Sequence, residues 1–211
     1  MQISWHGLSC FEILVKTTTA ESTIVIDPYS NTTGLRFPRT MSAQCVCVSH
    51  NDEDANNIGS VDGHPFIINQ PGEFEVADVF VFSTLTKTKG NIDNLIFRIE
   101  AEKMHIAHLG ALDRELTDAE LQDLENIDIL MIPVGGGRVM APKTALTVIS
   151  QIEPRVIIPM THNIANVKEK LGGVDVFCKE LGACRVEQLN KYKVARKDLP
   201  EEEMVIMVLS K

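Results

Sequence analysis

Hydrophobic residues in the first hundred positions form short runs, and turn-forming Asn, Thr, Gly and Pro residues separate these runs. The runs are rich in β-branched side chains, which fit the pleated and half-buried surface of a sheet. Short runs of this kind, bounded by turn residues, are typical of strands. The pattern predicts strands at residues 3–5, 10–15, 23–26, 45–48, 66–68, 79–83 and 95–99.

The second half of the chain alternates strand-like runs with helical patterns. Thr117 and Glu120 have the spacing of a capping box, in which each side chain accepts the backbone N–H of the other residue. Pro142 suits the first turn of a helix, and Gly182 suits the residue after the last turn. We therefore predict helices after Thr117, over 142–152 and over 174–181, and strands at 104–107, 127–133, 156–160, 184–189 and 204–209.

This order of elements indicates two sheets that face each other, with helices on the outside. The chain has 211 residues, which suits one domain with a sizeable core, and no linker or repeat interrupts it. We therefore expect a single domain over residues 1–211. Aromatic residues make up only 5% of the chain, so the core must consist mainly of Val, Ile, Leu and Met.

The charge and the cysteines restrict the expected partners and location. The net charge is −9 and no cluster of Lys and Arg stands out, so we expect neither a nucleic acid nor an anionic membrane as partner. No apolar run is long enough to cross a bilayer, and the first residues lack the pattern of a signal peptide. The five cysteines include no C-x-x-C pair. Free thiols in a reducing cytoplasm are the simplest interpretation.

A histidine followed by alternating carboxylates is the main candidate for chemistry. The apolar run that begins at Cys45 ends at Ser49, and His50, Asp52 and Asp54 then occupy alternate positions in an acidic loop. Sites in α/β folds lie where strands end, because the sheet stops there and the backbone opens. The alternative is that these carboxylates only form turns and cap a helix.

Six segments, in chain order, resemble the UlaG-like branch of the metallo-β-lactamase superfamily, which consists of short zinc-dependent hydrolases. Residues 3–11 are similar to its opening W-x-G-H-S-C-F strand. Residues 26–29 are similar to I-D-P-[FY], and residues 71–76 to P-G-E-Y-E-V. Residues 108–112 are similar to H-L-G-D-L, residues 128–136 to D-I-L-L-I-P-V-G-G, and residues 153–160 to a strand that ends in P-M-H. The resemblance implies an α/β (α+β) fold. This fold is the metallo-β-lactamase-type αβ/βα four-layer sandwich, in which two mixed sheets face each other and helices lie outside them.

The resemblance also implies which residues would hold the two zinc ions of the family. His50 matches the first His of its H-x-H-x-D-H motif, and Asp54 matches the Asp. Asp52 stands in place of the second His. Three further ligand positions are lost: Ala55 and Ala111 cannot ligate, and residues 83–89 contain no His where the family has one. Thr161 stands in place of the final His. We therefore do not expect a dinuclear zinc centre.

The remaining donors predict either no metal or one divalent ion. A single Zn²⁺, Mn²⁺ or Mg²⁺ would be held by His50, Asp52 and Asp54, because an oxygen-rich set suits hard ions about as well as zinc. His162 follows the last ligand position directly and is a further candidate ligand. Its alternative role is that of a loop residue, since a shift by one position turns the side chain elsewhere.

Two functions follow from this damaged ligand set. The first is a hydrolase-like protein with a degraded metal site, catalytically impaired or a pseudoenzyme, that serves as a binding or assembly subunit of a homo-oligomer. The second is an active hydrolase of small lactones or phosphoesters, with His50 and Asp54 as catalytic residues. In that case a metal held by them and by Asp52 activates water, or Asp54 acts as general base.

A third hypothesis is a sensor that binds a small anionic ligand through Lys87, Lys89 or Arg138. The glycines at 135–137 resemble a phosphate-binding loop but lack the Lys-Ser/Thr pair of a P-loop, so we expect a flexible loop at the rim of a cleft. Asp27 is expected to form hydrogen bonds in a turn. The sequence is compatible with an enzyme and with a pseudoenzyme.

Overall fold

The computed structural model describes residues 1–16, 21–182 and 189–211 of the chain. The first sheet consists of β1 (Gln2–Gly7), β2 (Cys10–Lys16), β3 (Glu21–Ile26), β4 (Cys45–Cys47), β5 (Phe66–Ile68) and β12 (Tyr192–Lys193). Its strand order is β12-β1-β2-β3-β4-β5. Strands β1 to β3 pair antiparallel and strands β3 to β5 pair parallel, so this sheet is mixed.

The second sheet is also mixed. It consists of β6 (Gly72–Val76), β7 (Val79–Lys87), β8 (Asp93–Ala101), β9 (Met104–His108), β10 (Ile129–Pro133), β11 (Val156–Met160) and β13 (Val205–Ile206). Its strand order is β13-β11-β10-β9-β8-β7-β6. Strands β6 to β9 form an antiparallel meander, whereas β9, β10, β11 and β13 pair parallel because helical segments connect them.

The helices are α1 (Asp118–Asp123), α2 (Pro142–Ile152) and α3 (Val174–Leu181). Helix α1 begins with the predicted capping box: the Thr117 hydroxyl accepts the Glu120 N–H at 3.3 Å and the Glu120 carboxylate accepts the Thr117 N–H at 2.9 Å. Helices α2 and α3 contribute buried side chains to one hydrophobic cluster with the second sheet, and the partly buried Leu121 of α1 packs against this cluster. They therefore form the layer that covers the outer face of that sheet.

Alternate residues of a strand face opposite sides of the sheet, and the buried clusters follow this rule. In β3, Ile24 and Ile26 belong to the main core, which draws residues from both sheets. Val25 belongs to a separate cluster with loop residues beside the first sheet. That outer cluster includes Ala111, Val139 and Leu171, and it borders the candidate site. We refer to it below as the outer cluster.

The predicted fold of two mixed sheets with outer helices is confirmed, but the β7–β8 hairpin is longer than predicted. Pairing continues as far as Lys87 and Asp93, beyond the predicted strand ends at residues 83 and 95. The Thr86 hydroxyl donates to the Asn94 carbonyl at 2.9 Å, and the Asn94 side-chain amide donates to the Thr86 hydroxyl at 3.0 Å. These hydrogen bonds satisfy the buried polar groups of both residues, so the two strands continue through a segment with few hydrophobic residues.

Smaller differences concern the ends of the chain and the cysteines. The hydrophobic pattern misses β6, and the strand predicted at 204–209 is reduced to Val205–Ile206. The strand predicted at 184–189 falls outside the described ranges except for its last residue. Cys10, Cys45 and Cys47 are buried free thiols, whereas Cys178 is disulfide-bonded, which differs from the expected free thiols. None of the helices in the described ranges has the length and hydropathy of a membrane span.

Candidate functional site

The candidate site lies where the end of β4 meets the second sheet. The Leu95 N–H donates to the Ser49 carbonyl at 2.7 Å, which joins β8 to the residues that follow β4. Gly110 lies so close that a Cβ at this position would be 2.7 Å from Ser49 Cβ and 2.4 Å from Asn94 Oδ1. Asn94 Oδ1 also accepts the Ala111 N–H at 2.8 Å. Ser49 is therefore fixed at the junction of the two sheets.

Asp27 holds Ser49 from the end of β3. Its carboxylate is fully buried and accepts both the Ser49 N–H at 2.7 Å and the Ser49 hydroxyl at 2.6 Å. This agrees with the expectation that Asp27 forms hydrogen bonds in a turn. Ser49 itself was not among the predicted site residues, although its position directly before His50 is visible in the sequence.

Both ring nitrogens of His50 face oxygen atoms. The Ser49 hydroxyl donates its proton to Asp27, so its oxygen accepts from His50 Nδ1, which lies 2.7 Å away. On the other side of the ring, His50 Nε2 lies 3.1 Å from Asp54 Oδ1. An ionised carboxylate can only accept a hydrogen bond. Both nitrogens therefore donate, and the ring is an imidazolium in this arrangement.

Asp54 lies between two cationic groups. Its Oδ1 accepts from His50, and its Oδ2 accepts from the guanidinium of Arg138. The Arg138 Nε in turn donates to Glu169 Oε1 at 2.8 Å. The Asp54 side chain is only 9% exposed, so water screens these charges little. A continuous chain of polar contacts thus connects Asp27, Ser49, His50, Asp54, Arg138 and Glu169.

The contacts within this chain shift two pKa values. Burial acts to raise the pKa of the Asp54 carboxyl, but the hydrogen bond from His50 and the charges of His50 and Arg138 outweigh it and lower the pKa to about 2. Burial acts to lower the pKa of His50, but the hydrogen bond to Asp54 and the charges of Asp27 and Asp54 raise it above its ordinary value. Each residue therefore favours the charged form of the other.

Arg138 reaches Asp54 from the glycine-rich segment that follows β10. Gly136 and Gly137 have φ angles of 69° and 68°, in the left-handed region that glycine adopts without steric cost. The Gly136 N–H donates to the Met140 carbonyl at 3.0 Å, and the Met140 side chain is fully buried. The segment that we expected to be a flexible loop at the rim thus forms a hydrogen-bonded turn, and this turn positions Arg138.

The other two predicted metal ligands lie apart from this chain of contacts. Asp52 is exposed; its Oδ1 accepts the Glu53 N–H at 2.7 Å, and its carbonyl accepts the Ala55 N–H at 3.1 Å in a tight turn. His162 is buried, and its ring packs against Trp5 with 4.7 Å between centroids. Burial lowers the pKa of His162. Of the four predicted ligands, the structure thus brings His50 and Asp54 into contact.

The positions at which family ligands are replaced are buried. Ala55, Ala111 and Thr161 are each less than a tenth exposed. Ala111 packs within the outer cluster, which also contains Val139 and Leu171. Apolar packing therefore occupies the neighbourhood of a position where the resemblance places a carboxylate that bridges two metals.

The donors that remain do not fit a two-metal centre. A metal needs the lone pair of a neutral imidazole and a free carboxylate oxygen, but both nitrogens of His50 and both oxygens of Asp54 are engaged. Among the residues that the structure describes, no three His, Cys, Asp or Glu side chains are grouped so that they could hold a metal.

A cleft of about 480 Å³ opens beside His50. We refer to it as the amide cleft, because five side-chain amides contribute to its lining: Asn51, Asn56, Asn69, Gln70 and Asn94. Its apolar lining includes Val48 and Leu85. Asp93 is the carboxylate among the lining residues, and it pairs with the ammonium group of Lys87. The cleft therefore offers hydrogen-bonding groups with little uncompensated charge.

Two of the three cations proposed for an anion site are engaged in ion pairs. Lys87 pairs with Asp93, and Arg138 contacts the carboxylates of both Asp54 and Glu169. An ion-paired cation attracts a second anion much less than a free one, because its charge is already compensated. The geometry therefore gives little support to an anion sensor that uses these two residues.

The chain is similar in sequence to known proteins. A sequence model described as "Beta-lactamase superfamily domain" matches residues 2–161. A UPF0173 protein of Pyrococcus furiosus is 26% identical over 217 residues, covering 90% of this chain and 95% of the relative. A protein of Thermoplasma acidophilum, described as a UPF0173 metal-dependent hydrolase, is 22% identical over 196 residues, covering 77% and 84%.

Among solved structures, a Thermotoga maritima protein assigned to the zinc-dependent hydrolases of the metallo-β-lactamase superfamily is similar over nearly the whole length. The TM-score is 0.80 and the sequence identity is 29%, with 99% of each chain covered. The two chains thus share the fold over nearly their whole length.

Proposed function

Because this chain belongs to the beta-lactamase superfamily domain family, we propose that it keeps the metallo-β-lactamase fold and cleft without the two-metal chemistry, and binds a small uncharged polar molecule in the amide cleft. The superfamily that the six sequence segments predicted is thereby confirmed. The name of the Thermoplasma acidophilum relative suggests a metal-dependent hydrolase instead.

One observation carries the proposal: both oxygens of Asp54 accept hydrogen bonds from cationic side chains of the same protein. The family resemblance assigns Asp54 to one of the two metal ions and His50 to the other metal ion. A hydrolase of this kind would need these groups free to bind a metal that activates water. With both of them engaged, the groups left for a substrate are those of the amide cleft.

The chemistry of the amide cleft favours an uncharged ligand with several hydrogen-bonding groups. Side-chain amides offer both donors and acceptors, and a few convergent polar groups on a partly apolar wall are typical of small-molecule sites. Asn69 and Gln70 are exposed, so a ligand can reach them from solvent. A nucleoside, a sugar or a small amide has the matching chemistry, whereas a free anion would find Lys87 and Arg138 already paired.

We expect uncharged probes to raise the melting temperature of the protein more than anionic probes do. Nucleosides, monosaccharides and small amides are compared with inorganic phosphate and acetate in a thermal-shift series, and hits are measured by calorimetry. The double substitution Asn69→Ala and Gln70→Ala should weaken a hit by about tenfold or more, since a lost hydrogen bond costs about 1 kcal/mol. Gln122→Ala, an exposed amide outside the cleft, should leave the affinity unchanged.

A hydrolase assay on the same preparation separates this proposal from its rival. The panel contains lactones and phosphodiesters, and each substrate that is hydrolysed is tested again with a chelator and with the His50→Ala variant. We expect no hydrolysis that the chelator and the substitution abolish. Hydrolysis that both treatments abolish would replace the proposed binding function with the metal-dependent hydrolase.

A further inference from the structure

We propose that Arg138 is a built-in cation that takes the place of a metal ion on Asp54, and that its removal restores metal binding. The inference rests on the proposed function in that the unaltered protein does not use a metal. It goes further because it names Arg138 as the residue that excludes the metal, so it can fail while the proposed function stands.

The first support is the position of the guanidinium between two acidic side chains. One nitrogen of Arg138 donates to Asp54 Oδ2, and Nε donates to Glu169 Oε1 at 2.8 Å. Two carboxylates thus converge on one cation, and carboxylate oxygens are the donors that hard divalent ions prefer. Here a guanidinium, which is charged at every accessible pH, supplies the positive charge instead.

The second support is that the turn carrying Arg138 has a defined conformation. Val139 is 3% exposed, and Met140 is fully buried. The Val139 N–H donates to the Gly136 carbonyl at 3.3 Å, and the Gly136 N–H donates to the Met140 carbonyl at 3.0 Å. The backbone on both sides of Arg138 is therefore anchored, and the guanidinium does not depend on its side-chain contacts alone to stay near Asp54.

The third support is that the segment carrying Glu169 is attached to the same turn. The Gly172 N–H donates to the Gly135 carbonyl at 2.7 Å, and the Asn163 N–H donates to the Gly172 carbonyl at 2.9 Å. Leu171 packs in the outer cluster. The segment that carries Glu169 is therefore joined by hydrogen bonds to the turn that carries Arg138.

A metal ion cannot use Asp54 while the guanidinium is in place. Both cations need the same carboxylate oxygen, and a divalent ion beside a guanidinium would experience strong repulsion where the surroundings exclude water. When the guanidinium is removed, Asp54 Oδ2 and the Glu169 carboxylate lack a cationic partner. These two carboxylates then attract a divalent ion.

The substitution Arg138→Met tests this assignment, since Met has a similar length and no charge. We expect Arg138→Met to bind Zn²⁺ and Co²⁺ at least about tenfold more tightly than the unaltered protein, the scale by which single supporting groups change metal affinity. Binding is measured by calorimetry, by the visible absorption of bound Co²⁺ and by the rise in melting temperature with added metal. The combined substitution Arg138→Met with Asp54→Asn should abolish the gain.

A matched control removes a similar guanidinium from a different place. Arg114 donates to both carboxylate oxygens of Glu120, at 2.8 and 2.6 Å, away from the candidate site. Arg114→Met should leave metal affinity unchanged. Arg138→Gln, which keeps N–H donors for the two carboxylates but removes the charge, serves as the second variant if Arg138→Met does not fold.

The possible results separate the two proposals. A gain in Arg138→Met or Arg138→Gln, absent from Arg114→Met, supports the assignment. A folded Arg138 variant without any gain overturns the assignment and leaves the amide-cleft function in place. Tight binding of Zn²⁺ by the unaltered protein overturns both.

Discussion

The substitution Asp54→Asn should destabilise the protein by about 3 kcal/mol, since removing one partner of a buried ion pair leaves the others without compensation. Asp54 accepts hydrogen bonds from His50 and Arg138, and an Asn side chain would turn an N–H group towards one of these donors. For a chain of this length the expected drop in melting temperature is roughly 6–12 °C. Chemical denaturation at pH 7 gives the free energy of unfolding directly.

Asp52→Asn is the matched control, because this carboxylate lies two positions away and is solvent-exposed. Its side chain accepts one backbone N–H, from Glu53. We expect a change within about 0.5 kcal/mol, as for most surface substitutions. Equal losses of stability for the two substitutions would contradict the central role that we assign to Asp54.

The same carboxylate should make stability depend on acid pH. The pKa of Asp54 is about 2 in the folded protein, against 3.8 as the ordinary value. A group whose pKa is lowered by folding stabilises the protein fully above its unfolded pKa, and this contribution of about 2 kcal/mol is lost as the pH falls from about 4 towards 2. Asp54→Asn should remove that part of the pH dependence, and unfolding curves at pH 5, 4 and 3 would reveal it.

The second large effect is expected for Gly110→Ala, which should destabilise the protein by about 3 kcal/mol or more. Gly110 has a φ angle of 60°, and an added Cβ would lie 2.4 Å from Asn94 Oδ1 and 2.7 Å from Ser49 Cβ. Asn94 would have to give up its hydrogen bond from the Ala111 N–H. The clash lies at the junction of the two sheets, so the position of His50 next to Ser49 should change as well.

The control Gly136→Ala has the same kind of backbone strain as Gly110→Ala but no steric clash. Gly136 also has a left-handed φ, of 69°, but nothing lies within 4 Å of a Cβ added there. Its expected cost is therefore about 1 kcal/mol, the cost of the left-handed conformation for a residue with a side chain. Denaturation of both variants gives the comparison, and similar losses would show that close packing at Gly110 has little importance.

Much of the fold could be predicted from the sequence because its signals are local. Short β-branched runs predicted most strands, and the Thr117–Glu120 spacing predicted the start of α1. The β7–β8 extension could not be predicted in this way. There, Thr86 and Asn94 satisfy each other across the hairpin, and this pairing exists only after the strands have met.

The candidate site shows the same division between local and long-range information. His50 and Asp54 were predicted to act together, and they are in contact. The alternating spacing also placed Asp52 with them, but residues 52–55 form a turn instead of an extended strand, so alternate side chains do not share one face. The Arg138–Asp54 contact joins residues 84 positions apart, and no local pattern in the sequence predicts it.

The metal content of the unaltered protein, purified without chelator from cells grown with added zinc, shows whether Arg138 and His50 keep a metal ion from Asp54. We predict far less than one equivalent of zinc, manganese or iron per chain by elemental analysis, because His50, Asp54 and Arg138 already compensate one another's charges. Two equivalents of zinc per chain, retained through dialysis, would contradict that claim.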